Sequence, residues 1–271
     1  SKLSRLEALV VDVKSLDQWP TKVVEEIIKE VAPLENFRSL KFFFSNEVVD
    51  VIEVVPSTLR IDVPEADILQ TFINKSRSWR KVQSINSFQF FIGCKNSRDP
   101  QIPKRYLYER YIKYCDGEGC NPSILEVPVK ADAFELVNHK DIKQLSDFGS
   151  MNEVRGCLVK SCNTIETIVG TADSVVLQNL EEFYVMKVPR LECIWKSPMR
   201  PGSLSKLQIL VLSGCPMLIK IFPHGVIQQL TEIQYLKIED CSGIEEIISE
   251  ADIVANGQVL PKLEELTLLN M

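Results

Sequence analysis

Histidines and paired carboxylates are the side chains that could carry acid–base chemistry in this chain. The two histidines lie in polar turns, His139 in Asn-His-Lys-Asp and His224 in Pro-His-Gly. Neither has a nucleophile or carboxylate in a recognisable local arrangement, so we expect both to be solvated loop residues. The pairs Glu181–Glu182 and Glu245–Glu246 flank apolar positions, and we expect them to face solvent rather than act in catalysis.

The sequence carries no familiar catalytic or phosphate-binding motif. It lacks G-x-x-x-x-G-K-[ST], G-x-G-x-x-G, H-E-x-x-H and G-x-S-x-G. The segment Cys115–Cys120 could form a disulfide or half of a metal site. That reading is disfavoured because there is no nearby histidine and no matching second pair. We therefore predict no enzyme, no cofactor and no metal.

Five stretches share one spacing of apolar residues, of the form L-x-x-L-x-L-x-x-C-x-x-L. They begin at Val154, Leu180, Leu207, Ile233 and Leu263, which are 26, 27, 26 and 30 residues apart. This is the signature of leucine-rich repeats, whose period is roughly 20–29 residues. We therefore predict an α/β leucine-rich-repeat solenoid with a parallel concave β-sheet. Such a fold offers a binding surface rather than a catalytic pocket.

Each repeat reads as a short strand followed by a return segment. In residues 208–213, Leu210 and Leu212 point to one side and Ile209 and Val211 to the other, because strand side chains alternate. After the turn, an apolar pair such as Leu218 and Ile221 is spaced as on one turn of helix. The convex side is accordingly expected to be irregular or short-helical.

The first half of the chain fits the repeat less regularly. The core spacing is found in Leu6–Val11, Phe37–Phe42 and Ile85–Phe90, with weaker fits in Leu59–Val63, Tyr108–Tyr114 and Phe134–Leu136. Counting these predicts about ten to eleven repeats in a single leucine-rich-repeat domain, residues 1–271. Apolar residues of Val23–Val31 have helical spacing, which predicts one helix there.

Composition and termini restrict the setting of the chain. The net charge is −6 without a Lys/Arg-rich stripe, which disfavours nucleic acid as a partner. No apolar run approaches 18 residues and no signal peptide is recognisable, so we predict no membrane contact and a cytoplasmic location. Because neither terminus carries a polar cap, we expect the chain to be a fragment of a longer protein.

Three cysteines recur at the turn position of their repeats. They are Cys162, Cys215 and Cys241, at positions one or two repeats apart. A thiol in such a buried column behaves as a small apolar group with a weak donor. We therefore expect structural, reduced cysteines in a reducing compartment.

The alternation of side chains also predicts which residues line the concave face. Its apolar centre and charged edge are predicted to bind a protein, because interfaces combine these features. The predicted protein-binding residues are Leu158, Lys160, Glu182, Tyr184, Met186, Ile209, Val211, Tyr235, Lys237 and Glu239. The competing interpretation is that Ile209 and Val211 are only exposed strand formers.

Longer stretches resemble the leucine-rich repeats of plant nucleotide-binding (NB-LRR) disease-resistance proteins, closest to the coiled-coil class. The resemblance is carried by Leu3–Glu7, Phe88–Cys94, Ala133–Ser146, Leu191–Trp195, Leu207–Leu218 and Ile233–Cys241. It covers essentially the whole chain, and its specificity comes from these stretches and the cysteine turns.

The resemblance implies a role in plant defense and innate immunity. The chain would be the repeat arm of an intracellular receptor, detecting pathogen effectors directly or through a guarded host protein. It would also contact the nucleotide-binding domain of the parent chain and hold it inactive. The alternative is the substrate-binding repeat domain of a ubiquitin-ligase adaptor, which an N-terminal F-box in the parent sequence would favour.

Overall fold

A computed structural model of the chain divides into two compact units. Unit 1 comprises Ser1–Pro100 with Lys104–Cys115, and unit 2 comprises Gln101–Pro103 with Asp116–Met271. The structure describes residues 6–12, 26–27, 30, 39–43, 58–75, 87–94, 110–119, 130–149, 151–170, 177–195, 200–222, 226–248 and 259–271.

Unit 1 contains a parallel sheet whose strands are ordered as in the sequence. Its strands are β1 (Ala8–Asp12), β2 (Ser39–Phe43), β3 (Thr58–Val63), β4 (Ser87–Ile92) and β5 (Arg110–Cys115). One strand per repeat in parallel register is what the repeat spacing predicts. The weak fits at Leu59–Val63 and Tyr108–Tyr114 therefore overlap true strands.

The core of unit 1 lies between this sheet and helix α1 (Ala66–Lys75). On β4, Phe88 and Phe90 point to the same side and are at most 2% exposed. The ring of Phe72 on α1 meets that of Phe90 edge-on, with centroids 6.4 Å apart. In the predicted helix Val23–Val31, Glu26, Ile27 and Glu30 are helical, and its other positions lie outside the described residues.

Unit 2 contains eight strands in the residues that the structure describes. They are β6 (Ala133–Val137), β7 (Gly156–Lys160), β8 (Thr167–Val169), β9 (Glu182–Met186), β10 (Cys193–Trp195), β11 (Ile209–Ser213), β12 (Tyr235–Glu239) and β13 (Glu265–Leu269). The main sheet is parallel in the order β6-β7-β9-β11-β12-β13, and β8 pairs with β10 in a second one. Short 3-10 helices span Leu145–Phe148 and Ile227–Gln229.

Alternation along each strand of the main sheet separates core from surface. On β11, Leu210 and Leu212 are 0% exposed, whereas Ile209 and Ser213 are only half-buried. The register pairs Leu212 with Val185 on one side and Ile238 on the other, so like positions form a continuous apolar row. The predicted leucine-rich-repeat solenoid with a parallel sheet is confirmed.

The return segments are irregular as expected, but the apolar pairs that follow each turn do not form the expected turn of helix. After the turn, the chain runs extended, and isolated bridges link Gln144 to Thr167, Cys193 to Lys220 and Lys220 to Glu246. Together with β8 and β10 these make a second parallel ladder behind the main sheet. Extended backbone satisfies its polar groups through the next repeat, whereas one isolated helical turn leaves most of them unpaired.

A left-handed residue follows each strand of the main sheet. These residues are Asn138, Ser161, Lys187, Gly214, Asp240 and Asn270, with φ between 50° and 68°. The first five donate their backbone N–H to the last carbonyl of the neighbouring strand, at 2.7–3.1 Å. Gly, Asn and Asp tolerate this conformation best, and they fill four of these six positions.

Candidate functional site

The concave face is the side of the unit 2 sheet that points away from the core. The register of β7, β9, β11, β12 and β13 aligns its side chains in three columns. The columns are Gly156-Glu182-Ile209-Tyr235-Glu265, Leu158-Tyr184-Val211-Lys237-Thr267 and Lys160-Met186-Ser213-Glu239-Leu269. The predicted alignment of these residues is confirmed, and it brings together all ten predicted binding residues.

Burial on the concave face is uneven. Leu158 is 2% exposed and Val211 is 9% exposed, although both point away from the core. Neighbouring strands lie only about 4.8 Å apart, so side chains of one column cover each other. Leu158 is in register with Glu135 of β6, which is fully buried, and with Tyr184 of β9. Leu158 and Val211 therefore pack against their neighbours on the sheet and leave little exposed area for a partner to contact.

On β9, β11 and β12, four large side chains of the concave face keep part of their apolar surface exposed. They are Tyr184, Met186, Ile209 and Tyr235, all half-buried. Ile209 stands next to Tyr235 in the first column, and Tyr184 and Met186 lie two positions apart on β9. We call these four residues the apolar patch. Aromatic residues and methionine on a rigid sheet are the residue types enriched in protein interfaces.

Glu182 differs from the sequence expectation. Its carboxylate was expected to face solvent, but the residue is 2% exposed. The hydroxyl of Tyr184 donates a hydrogen bond to Glu182 Oε2 at 2.9 Å. A buried carboxylate requires such partners, because desolvation without them is costly. Glu182 thus fixes the orientation of Tyr184 in the apolar patch, and the expectation of a solvent-facing pair was wrong at this position.

A charged pair borders the apolar patch toward β12. Lys237 Nζ lies 3.0 Å from Glu239 Oε2, with side chains 28% and 31% exposed. The hydrogen bond to Glu239 raises the pKa of Lys237 above its usual value. Lys160, at the other end of the third column, is half-buried beside Met186. The predicted charged edge therefore consists of Lys160, Lys237 and Glu239, without Glu182.

His139 is buried, so the expectation of a solvated loop histidine was wrong for it. It is 1% exposed, its ring meets that of Phe148 edge-on at 5.9 Å, and Ile142 donates its N–H to Nδ1 at 3.4 Å. Because Leu136 pairs with Val159, His139 occupies the position that Cys162 fills in the next repeat. The spacing Leu136-x-x-His139, equal to Val159-x-x-Cys162, was the signal that could have found this. His224 lies outside the described residues.

Burial has an electrostatic consequence at His139. It lowers the pKa of the imidazole below its usual 6.5, while the nearby carboxylates of Asp141 and Glu118 oppose the shift. Nδ1 lies 3.5 Å from Asp141 Oδ1. The neutral ring therefore fills a core position and accepts a hydrogen bond, which is a structural role.

The turn-position cysteines are buried, as their spacing predicts. Cys162, Cys215 and Cys241 are 0% exposed. The Cys162 thiol donates to the carbonyl of Lys160 at 3.4 Å, and Cys241 repeats this with Glu239 at 3.3 Å. Burial raises the pKa of Cys162 to about 11. These thiols cap the strand ends, and the Cys162 thiol is protonated at neutral pH.

The described residues contain neither a metal site nor a membrane-spanning helix. No group of three or more His, Cys, Asp or Glu side chains is arranged there to hold a metal ion. Cys115 is buried at the end of β5, and Cys120 lies outside the described residues. No described helix has the length and apolarity needed to cross a membrane.

The fold and this face define a leucine-rich-repeat protein, a class that generally mediates protein contacts rather than catalysis. Residues 134–242 match the family model described as plant disease resistance protein RPS2-like, leucine-rich repeats. That segment is therefore similar to the leucine-rich repeats of plant disease resistance proteins, and the resemblance seen in the sequence is confirmed over these residues. No curated protein matches the chain.

Proposed function

We propose that the concave face recognises a protein on behalf of an intracellular NB-LRR immune receptor. The partner is a pathogen effector, bound directly, or a host protein that the receptor guards. The observation that carries the proposal is the apolar patch within repeats of the disease-resistance type. The family match also favours this role over a ubiquitin-ligase adaptor.

The geometry of the apolar patch supports protein binding in three ways. Its side chains stand on a hydrogen-bonded sheet, so little conformational entropy is lost when they contact a partner. Tyr184 is held by the buried carboxylate of Glu182. The polar residues Lys160, Lys237 and Glu239 border the apolar patch, and a polar border around apolar anchors is common in hot-spot regions.

A second role is contact with the nucleotide-binding domain of the parent chain. In this part of the proposal the repeat arm holds that domain inactive in the cytoplasm until the partner binds. One face can serve both purposes if the partner and the domain compete for it. The two roles predict that patch variants lose partner binding and release the domain together.

The variant Tyr184→Ala/Ile209→Asp tests the concave face. Removing one aromatic anchor and placing a charge beside Tyr235 is expected to lower partner recovery at least about tenfold, the equivalent of about 1.4 kcal/mol. Partner recovery is compared in quantitative pull-downs from plant extract with the chain as bait. Circular dichroism and the urea midpoint confirm that the variant is folded.

The matched control introduces one alanine and one aspartate behind the sheet, away from the concave face. Met217→Ala/Ile219→Asp alters two side chains that are 49% and 47% exposed, next to the second ladder. It is expected to recover the partner as the unaltered chain does. Equal recovery by both double variants would remove the concave face from the proposal.

A further inference from the structure

Two cysteines of unit 1 are in direct contact. Cys94 lies two residues after β4, and Cys115 is the last residue of β5. Their Sγ atoms are 2.7 Å apart, and each residue is 8% exposed. The pair belongs to unit 1 and has no part in the function proposed above.

The backbone brings these two thiols together. The register of Ile92 with Tyr114 places Gly93 beside Cys115, and the Gly93 N–H donates to the Val63 carbonyl at 2.9 Å. Gly93 has φ 67°, and a Cβ built on it would lie 2.2 Å from the Cys115 carbonyl oxygen. Only glycine permits this approach, so the chain holds Cys94 against β5.

The contact has the geometry from which a disulfide can form. Adjacent strands are about 4.8 Å apart, close to the Cα separations that disulfides span, and the S–S bond is about 2.05 Å long. From 2.7 Å, the sulfurs therefore need to approach by less than about 1 Å. Each residue keeps 8% of its surface exposed, and a small oxidant would reach the pair there.

We propose that Cys94 and Cys115 are a redox modification site, at which hydrogen peroxide drives formation of a reversible disulfide. One of the two thiols loses its proton and its sulfur attacks a peroxide oxygen. The O–O bond breaks, that sulfur becomes a sulfenic acid, and the departing hydroxide takes up a proton and leaves as water. The other thiol then attacks the oxidised sulfur, the S–O bond breaks, and a second water leaves. Two thiols lose two electrons and the peroxide gains them, so the step balances.

The disulfide would tie β4 to β5 across 21 residues of chain. Cross-linking restricts the unfolded chain, so the oxidised protein should withstand more denaturant. Reduction by a dithiol reverses the link. The pair thus makes the local stability of unit 1 depend on redox conditions.

The experiment maps disulfides in the unaltered chain after graded hydrogen peroxide. Free thiols are alkylated, and the protein is digested with trypsin and a protease that cleaves after glutamate. Cleavage after Lys95, Lys113 and Glu118 separates Cys94, Cys115 and Cys120. The expected product is a linked Cys94–Cys115 peptide that lacks two hydrogens and is lost on reduction.

Cys193 serves as an internal reference because it is half-buried and lies in unit 2. Recovery of Cys94 and Cys115 as alkylated thiols, at a peroxide dose that oxidises Cys193, would overturn the proposal. So would a link from either cysteine mainly to a different partner.

A second measurement compares urea midpoints before and after oxidation. The unaltered chain should shift upward on oxidation and return after reduction, and Cys94→Ala should show no upward shift. An equal shift in Cys94→Ala would assign the effect to another site. Neither result depends on partner binding, so the two proposals fail separately.

Discussion

At the residue scale, the turn position of the repeat accepts different side chains for one physical purpose. Cys162, Cys215 and Cys241 fill it with a thiol, Val188 with an isopropyl group and His139 with a neutral imidazole, all at most 1% exposed. What the position requires is a small buried volume, and the thiols and imidazole add hydrogen bonds there.

His139 should give the chain a distinctive pH dependence. Above pH 6.5 the ring is neutral in folded and unfolded chains alike, so stability does not change through this group. Below pH 6.5 this histidine becomes protonated in the unfolded chain. In the folded chain the buried ring stays neutral to lower pH, because burial lowers its pKa. Stability should therefore fall as the pH falls through this window, by up to about 1.4 kcal/mol per pH unit.

Urea unfolding of His139→Cys, at about pH 7.5 and about pH 5.5, isolates this effect because the carboxylates remain unchanged. The variant should lose less stability on acidification than the parent. His224→Gln is the control and should keep the parent's dependence. An unchanged dependence in His139→Cys would mean that the imidazole is not shielded as described.

The left-handed residue after each strand allows a backbone prediction. Gly214 has φ 68°, and a Cβ built on it would lie 3.4 Å from the Lys187 backbone, without collision. Gly214→Ala should therefore lower the free energy of unfolding by about 1 kcal/mol through backbone strain alone. Gly214→Asn is the matched variant and should cost less, because Asn tolerates this conformation. Equal urea midpoints for the two variants would contradict this explanation.

At the element scale, stability comes from apolar rows that run across the strands. Leu212 is fully buried between Val185 and Ile238, so Leu212→Ala should cost about 2–5 kcal/mol. Ile219→Ala removes a comparable side chain that is 47% exposed and should cost less than about 0.5 kcal/mol. Both are measured by urea unfolding, and similar losses would refute the row as the source of stability.

The same elements show how much the sequence could predict. The concave columns followed from the repeat because period-two alternation and a constant spacing determine the register. Helix α1 was missed, although Ile68, Leu69, Phe72 and Ile73 recur at helical spacing and are all buried.

Other features depend on neighbours that one repeat does not reveal. Glu182 is buried because adjacent strands crowd it and Tyr184 offers it a hydrogen bond. The return segments are extended because the next repeat supplies their backbone partners. Spacing within one unit identifies the inward residues, but packing between units decides which outward residues remain exposed.

At the scale of the whole molecule, the described parts assign different properties to different surfaces. The concave face of unit 2 carries the apolar patch, and the second ladder behind it carries exposed Met217 and Ile219. Unit 1 carries the cysteine contact. Partner recognition is therefore a property of one face of the sheet, which can be tested without knowing the structure of the complex.

Hydroxyl-radical footprinting of the chain with its recovered partner tests this claim most directly. Tyr184, Met186 and Tyr235 should be oxidised more slowly in the complex than in the free chain, because the partner covers them. Met217, which is 49% exposed behind the sheet, should react at the same rate in both. Protection of Met217 with unchanged rates at the two tyrosines and Met186 would contradict recognition by the concave face.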